Sequence, residues 1–367
     1  MTEETVSGDQ RLLELRNRID SIDGDIARLI SERANCALAV AAVKKATGGD
    51  ALYYRPEREA QVLRRAMERN SGPLTDEEMA RLFREIMSAC LALEEPVKVA
   101  YLGPEGTFTQ QAALKHFGNS AQSRPLAVID EVFREVEAGA VNYGVVPVEN
   151  STEGVINHTL DNFMTSNLYI CGEVELRIHH HLMISDVTRA DAITRIYSHA
   201  QSLAQCRKWL DAHYPNVERV AVASNADAAV RVKGEWNAAA IAGDMAAELY
   251  GLKILSEKIE DRPDNSTRFL IIGTQEVPAS GDDKTSLMVS MRNEPGALHN
   301  LLEPFRRFGV DLTRVETRPS QSGNWNYVFF IDFVGHRDTK NIASALREVG
   351  VCASDVKVLG SYPRGVL

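Results

Sequence analysis

Cysteine is scarce: the 367 residues hold five, an odd and irregularly spaced set without a C-x-x-C pair, which points to neither a disulfide framework nor a zinc site. No apolar run reaches membrane-spanning length. Met1 to Gln10 is polar and acidic with no signal-peptide core, so a cytoplasmic protein with no membrane partner is expected. Positive charge is in deficit: 41 Lys+Arg against 51 Asp+Glu leave a net charge of −10, which argues against a nucleic-acid partner. A small anionic ligand stays compatible where a few basic side chains override the global sign. The loop Gly103-Pro104-Glu105-Gly106-Thr107-Phe108 lacks the G-x-G-x-x-G spacing, which counts against a dinucleotide fold. What is present is ordinary globular composition, 44% hydrophobic and 25% charged, at a length suited to two or three domains.

Residues 1–96 read as all-helical. Leu12, Leu15, Ile19, Ile22, Ile26 and Leu29, then Cys36, Val40 and Val43, recur in steps of three and four, the seam of a helix packed on helices. The pattern lasts to Gly48-Gly49, about 35 residues and ~50 Å. Pro56 opens a second helix to about Asn70. Thr75 with Glu78 caps a third, striped by Met79, Leu82, Ile86, Ala89 and Leu93. Two short helices cannot cover such a rod, so a second chain is expected on it. Arg33 occupies a seam position, and Lys44 follows three turns later, ~16 Å along the same face. Such charges need partners or a ligand, and the gap suits a compact dianion; interhelical salt bridges are the alternative. Arg55, Arg58 and Glu59 share a flank of the second helix.

Beyond Pro96, strand and helix patterns alternate. Strands are expected at Val97–Leu102, Gly144–Val148, Leu182–Ile184, Arg195–Tyr197, Val220–Ala223, Ala239–Ile241 and Arg268–Ile272, with helices such as Gln110–Phe117 and Gln201–His213 between them. This predicts an α/β domain with a largely parallel sheet over 97–276. Pro278 to Asp283 reads as a polar linker. Residues 284–367 then follow a βαββαβ order, a ferredoxin-like fold. Each part has its own core pattern, so a cut near Pro96 is expected to leave two working halves. His179-His180-His181 looks like a metal cluster, but alternation along a strand keeps neighbouring rings from converging on one ion.

Three resemblances follow from these residues. Leu12 to Arg16, Glu32-Arg33, Lys44 and Arg58-Glu59 resemble the three-helix chorismate mutase module, whose long helix is exchanged within a dimer. That implies Arg16 from the partner chain, with Arg33, Lys44, Arg58, Glu59 and Glu94 catalytic and Arg55 and Cys90 binding substrate. The segment from Val97 to Gly273, with Gly103–Phe108, Pro147–Ser151, Ser198–Gln201 and Thr267-Arg268-Phe269, resembles prephenate dehydratase, a two-lobed α/β fold. The resemblance implies Thr267 as the group acting on the departing hydroxyl, with Thr107, Phe108, Asn150, Ser151, Arg268 and Phe269 around the substrate. Asn293 to His299 (Asn293, Gly296, Ala297, Leu298, His299) and Glu316-Thr317-Arg318 resemble the phenylalanine-binding loops of ACT domains.

In that order the chain resembles the bifunctional chorismate mutase–prephenate dehydratase family of phenylalanine biosynthesis, an isomerase joined to a carbon–oxygen lyase. The resemblance implies chorismate and prephenate as substrates and L-phenylalanine as effector. It also implies a homodimer or higher homo-oligomer, and neither cofactor nor metal. Fusion to prephenate dehydrogenase is the nearest rival, and Gly103–Phe108 lacks the loop it needs. A solute-binding-like sensor with an ACT domain and no catalysis is the rival of a different class.

Overall fold

The computed structural model describes residues 3–46, 54–319 and 327–366, arranged in three bodies. The first comprises helices α1 (Glu3–Ala46), α2 (Pro56–Glu68) and α3 (Asp76–Glu94). At 44 residues, α1 is ~66 Å long. It exceeds the expected length because the polar stretch before Leu12, which carries no apolar stripe, joins the helix. Its expected stop at Gly48-Gly49 lies outside the described residues. Leu15, Ile19, Ile22, Ile26 and Leu29 remain about half exposed along one side. A continuous apolar stripe of this kind marks a docking face.

Pro56 opens α2 in the first turn, where its missing N–H has no helical acceptor to serve. Thr75 Oγ1 accepts the Glu78 N–H at 3.2 Å to start α3. Ala80, Arg84 and Ser88, four residues apart, turn one buried face of α3 toward the second body. The approach is close: a Cβ on Gly118 would come within 2.5 Å of Ser88. Tyr54 is buried in the same junction, its ring 5.3 Å from those of Phe117 and Tyr143 and its hydroxyl 2.9 Å from His116 Nε2. The helices are therefore docked, not tethered, and a cut at Pro96 would open a buried seam.

The second body has two lobes. The first holds β1 (Lys98–Leu102), α4 (Phe108–Phe117), β2 (Gln122–Leu126), α5 (Ile129–Glu137), β3 (Tyr143–Asn150), β4 (Gly154–Val155), α6 (Asn157–Thr165) and β5 (Tyr169–Arg177). The second holds β6 (His181–Ile184), β7 (Arg195–His199), α7 (Ala200–Gln205), α8 (Arg207–His213), β8 (Glu218–Val222), α9 (Asn225–Val232), β9 (Ala238–Ala242), α10 (Asp244–Tyr250) and β10 (Lys253–Ser256). The helix expected over Gln201–His213 is broken at Cys206 into α7 and α8. The chain then returns as β11 (Ser266–Gly273), giving sheet orders β2-β1-β3-β11-β5 and β10-β6-β9-β7-β8.

Both sheets are mixed rather than largely parallel. Helical crossovers make β1 parallel to β2 and β3, and β7 parallel to β8 and β9. At the crossings between lobes, 178–180 and 257–265, no helix intervenes. The strands that flank them pair antiparallel: β11 with β3 and β5, and β6 with β9 and β10.

The third body is the expected βαββαβ unit: β12 (Asp283–Met291), α11 (Ala297–Arg307), β13 (Leu312–Pro319), β14 (Tyr327–Val334), α12 (Lys340–Cys352) and β15 (Asp355–Pro363). Its strands pair antiparallel in the order β13-β14-β12-β15. Leu287, Phe305, Ile331 and Val349 form its own core under the helices. Met288, Val328, Phe330 and Tyr362, on the other face, share a core with Val132, Phe163 and Leu270 of the first lobe. The segment expected as a polar linker is fastened too: Arg64 of α2 donates to Ser280 Oγ at 3.0 Å and to the Asp282 carbonyl at 2.8 Å.

Candidate active site

The two crossings bring both lobes around a cleft of about 480 Å³. Antiparallel pairing sets Thr267 of β11 directly opposite Asn150 of β3. Asn150 Oδ1 accepts the backbone N–H groups of Thr152 (2.9 Å) and Glu153 (3.1 Å), which fixes the amide's orientation. Its Nδ2 must then donate, to Thr267 Oγ1 at 2.8 Å and Asn265 Oδ1 at 3.0 Å. Thr267 receives that bond, and its own proton has no acceptor among the described residues. The Thr267 side chain is aimed at the cleft.

A β-bulge sets this aim. Arg268 pairs with Glu149 but Phe269 pairs with Pro147, so Val148 is the extra residue. The bulge shifts the alternation by one: Pro147 and Asn150 both line the cleft, and Glu149 turns away from it.

Of the other residues expected here, Thr107 and Phe108 also line the cleft. The Thr107 hydroxyl caps α4 and donates back to Pro104 O at 3.0 Å. The Phe108 ring reaches across to Gly243, where a Cβ would lie 2.7 Å from it, so only glycine fits. Phe269 lines the wall as part of the core.

Two expectations fail. Ser151 Oγ accepts the Ser266 N–H at 2.9 Å, joining the two strands instead of facing substrate. Arg268 points out of the cleft, because neighbours on a strand face opposite ways. Its guanidinium meets Glu173 at 2.8 Å, Asp332 at 2.5 Å and the Tyr362 hydroxyl at 2.9 Å, in the seam with the third body.

Side chains outside the expected set complete the cleft. Gln205 Oε1 accepts from Asn265 Nδ2 (3.1 Å) and from His180 Nε2 (2.9 Å), which assigns the ring proton to Nε2. Burial lowers the His180 pKa, only partly offset by the Gln205 bond, so the ring is neutral. Its neighbours go elsewhere: His179 Nδ1 to Glu260 at 2.7 Å and His181 Nε2 to Asp244 at 3.0 Å. Glu153 binds Gln201 and Gln205 from across the cleft, joining the lobes. Asn225 Oδ1 accepts from Ser198, Ser202 and the His199 N–H, which leaves its amide N–H groups for the cleft. The one usable sequence signal was spacing: Gln201 and Gln205 are four apart, on one helix face.

In the helical body, α1 and α3 bring Arg33, Lys44 and Glu94 together. Burial raises the Glu94 pKa, while Lys44 and Arg33 pull it back. Glu94 Oε2 is buried without a hydrogen-bond partner, and Cys90, one turn earlier, is buried as well. Arg58 faces a groove between α2 and α3 lined by Val62, Met79 and Phe83. Arg55 instead closes on Glu57, Nε to Oε1 2.5 Å. Glu59 also departs from the expected set. It meets Arg84 at 3.3 Å in the buried junction, since adjacent helical residues point about 100° apart. Arg16 is exposed, ~26 Å along α1 from Arg33, too far to join it within one chain.

In the third body, Asn293, Gly296, Leu298 and His299 are exposed where the loop opens α11, with Ala297 half-buried and Gly296 left-handed at φ 84°. Glu316 and Thr317 lie on opposite faces of the edge strand β13. Arg318, expected at the ligand, is committed to Asp161 by a bidentate pair, Nε to Oδ1 at 3.0 Å and Nη2 to Oδ2 at 2.8 Å.

Residues 99–277 match the family model of prephenate dehydratase, 15–95 that of chorismate mutase type II and 285–351 that of the ACT domain. The bifunctional chorismate mutase/prephenate dehydratase of Stutzerimonas stutzeri is 70% identical over 360 residues, 97% of this chain and 99% of that protein. The chain belongs to the bifunctional chorismate mutase/prephenate dehydratase family. The Aquifex aeolicus relative of the same description is 42% identical over 362 residues, 98% of this chain and 99% of its own. Among solved structures, the prephenate dehydratase of Arthrobacter aurescens in complex with L-Phe superposes with a TM-score of 0.68 at 34% identity, covering 73% of this chain and 90% of that one. The chain is thus an enzyme with chorismate mutase and prephenate dehydratase activities, not the non-catalytic sensor. Among the described residues, no helix is long and apolar enough to cross a membrane.

Proposed function

We propose that prephenate reacts in the cleft between the lobes and that Thr267 serves its departing hydroxyl. Prephenate gains one proton and yields phenylpyruvate, CO₂ and water. The electron pair of the breaking C–C bond enters the ring, the C–O bond breaks, and the leaving oxygen takes the proton. Aromatisation drives the loss, so the site mainly aims a donor. The orientation of Asn150 carries this reading. With its Oδ1 held by two backbone N–H groups, Nδ2 donates to Thr267 and turns the threonine proton toward substrate. A threonine hydroxyl is a poor acid at neutral pH, so it acts as donor or relay. Asn225, at the start of α9, offers amide N–H groups to a substrate carboxylate beside the helix terminus. Phe108 and Phe269 flank the ring.

The mutase site forms between two copies. Chorismate rearranges in one pericyclic step and needs no nucleophile or base. The site must hold two carboxylates and stabilise charge growing on the ether oxygen. Arg33, Lys44 and Arg58 supply cations, Arg16 of the partner subunit completes them, and neutral Glu94 donates to the ether oxygen. The exposed seam of α1 supports this pairing. L-Phenylalanine binds at the loop opening α11, with Glu316 and Thr317 of β13, and lowers dehydratase activity. If the effect acts on affinity, linkage requires effector and prephenate to weaken each other's binding. The functional limits are 1–96, 97–276 and 284–367, in a cytoplasmic homo-oligomer.

One assay tests the core of this reading. Purified enzyme given chorismate without nucleotide cofactors should form prephenate and then phenylpyruvate. Prephenate accumulating without phenylpyruvate would remove the cleft assignment. Calorimetry with L-phenylalanine tests the effector site, and an absence of binding to the intact protein would remove it.

A further inference from the structure

The rung of the β3–β11 ladder next to the Asn150–Thr267 pair is occupied by charges. Glu149 stands opposite Arg268, and both side chains point away from the cleft into the ACT domain. They are met there by another cross-strand pair, Arg314 of β13 and Asp332 of β14. Arg268 Nη1 lies 2.5 Å from Asp332 Oδ2, and Arg314 Nε lies 3.2 Å from Glu149 Oε2. Four charges of alternating sign thus clamp the back of the rung beside the one facing substrate. Arg268, Asp332 and Arg314 are largely buried, and the Ser286 hydroxyl donates to Asp332 Oδ1 at 2.6 Å. Burial alone would raise the Asp332 carboxyl; Arg268 and Ser286 outweigh it and hold it below its ordinary value. The Arg268–Asp332 pair is largely buried on both sides, and parting such a pair leaves an uncompensated buried charge, so the two groups are held together.

We propose that Asp332 and Arg314 of the ACT domain are positioning residues for the dehydratase reaction. By gripping Arg268 and Glu149 they set the height of the β3–β11 ladder, and with it the Asn150–Thr267 hydrogen bond and the aim of the Thr267 proton. The inference rests on the reading that Thr267 acts on the leaving hydroxyl. It makes the ACT domain part of the machinery that orients that group, with or without effector.

The test is a double-mutant cycle in the full-length enzyme. Asp332→Asn keeps the shape and an acceptor for Arg268 but removes the charge. It should lower dehydratase kcat about tenfold, as a small misplacement of a catalytic group does. KM and mutase activity should be unchanged. On a Thr267→Val background the same substitution should change kcat little, since no proton remains to be aimed. An equal further drop on that background would mean that Asp332 acts independently of Thr267, and would overturn the positioning role alone. Near-normal kcat in Thr267→Val itself would overturn the underlying reading. Arg314→Met, on the edge strand, provides the same cycle if Asp332→Asn does not fold. Unchanged kcat in a folded variant of either residue overturns the proposal.

Discussion

The dehydratase cleft and the α1 seam solve the same problem, satisfying groups that cannot stay in water alone, from different sources. In the cleft the partners come from the same chain: Asn150, Asn265, Gln205 and His180 form a run of hydrogen bonds that crosses from lobe to lobe. Along α1, Ile19, Ile22 and Ile26 stay half exposed, and Arg16 is remote from the cations it is expected to join. A chain that crosses twice between lobes closes a site on itself. A rod longer than its neighbours leaves a face that its own chain does not cover.

The largest expected effect tests this contrast directly. Thr267→Val should lower dehydratase turnover about 10²-fold or more, the usual scale for a positioned proton transfer, and leave the mutase intact. Ile22→Asp on the seam should do the reverse, dissociating the dimer and abolishing mutase activity while dehydratase turnover persists. Assays of both reactions with size-exclusion chromatography decide it. Loss of both activities from either variant would erase the distinction.

Subunit mixing sharpens the same contrast. Arg16→Ala and Arg33→Ala enzymes should each lack mutase activity. After random subunit exchange, half of the two-fold dimers are mixed and each regenerates one intact site, so about a quarter of mutase sites should recover. No recovery would place Arg16 and Arg33 outside a shared site.

The third prediction concerns the junction where the two regions meet. Separate core patterns suggest that the chain divides cleanly at Pro96, but Tyr54, Glu59 and Arg84 bury a contact there. Burial, reinforced by Arg84, pushes the His116 pKa down to about 3, against an ordinary value of about 6.5. Between those values the unfolded chain binds a proton that the folded chain does not, so stability present at neutrality is lost as pH falls across that window. Urea unfolding at about pH 5.5 should show a cost of roughly 1.4 kcal/mol relative to neutral pH from this group. His116→Gln, which keeps a partner for Tyr54, should lose that increment; an unchanged increment would detach His116 from the acid limb.

The smallest effect belongs to Glu94. Burial raises its pKa, with Lys44 and Arg33 opposing, and only the protonated form can donate to an ether oxygen. Mutase turnover should therefore fall as pH rises through that pKa, and Glu94→Gln should flatten this limb by a few-fold, on the order of a single hydrogen bond. Superimposable pH–rate profiles would make Glu94 a helix-end charge without a part in the reaction.

Legibility followed the range of the physics involved. Apolar spacing identified the helical body, and the capping hydroxyl at Thr75 was readable because a cap lies within one turn of the group it serves. Thr267-Arg268-Phe269, read as one block, divides in the structure. Alternation sends Arg268 to the ACT domain, and the bulge at Val148 decides that Asn150, not Glu149, faces the cleft. Glu59 and Arg318 were misplaced for a related reason: each found an opposite charge, Arg84 or Asp161, on an element distant in sequence. His180 and Asn225 carry no local signature, because their orientation comes from partners in other strands and helices.

The sequence by itself determined the three bodies and the seam on α1, since periodicity and capping act over a few residues, while the donors at the strand ends were implied only by the family resemblance. Only the tertiary structure decided which donors share a cleft, where Arg268 points and that the helical body is docked. Those outcomes depend on strand register, one extra residue in a ladder and the pairing of buried charges. Each is set by surfaces meeting across the fold.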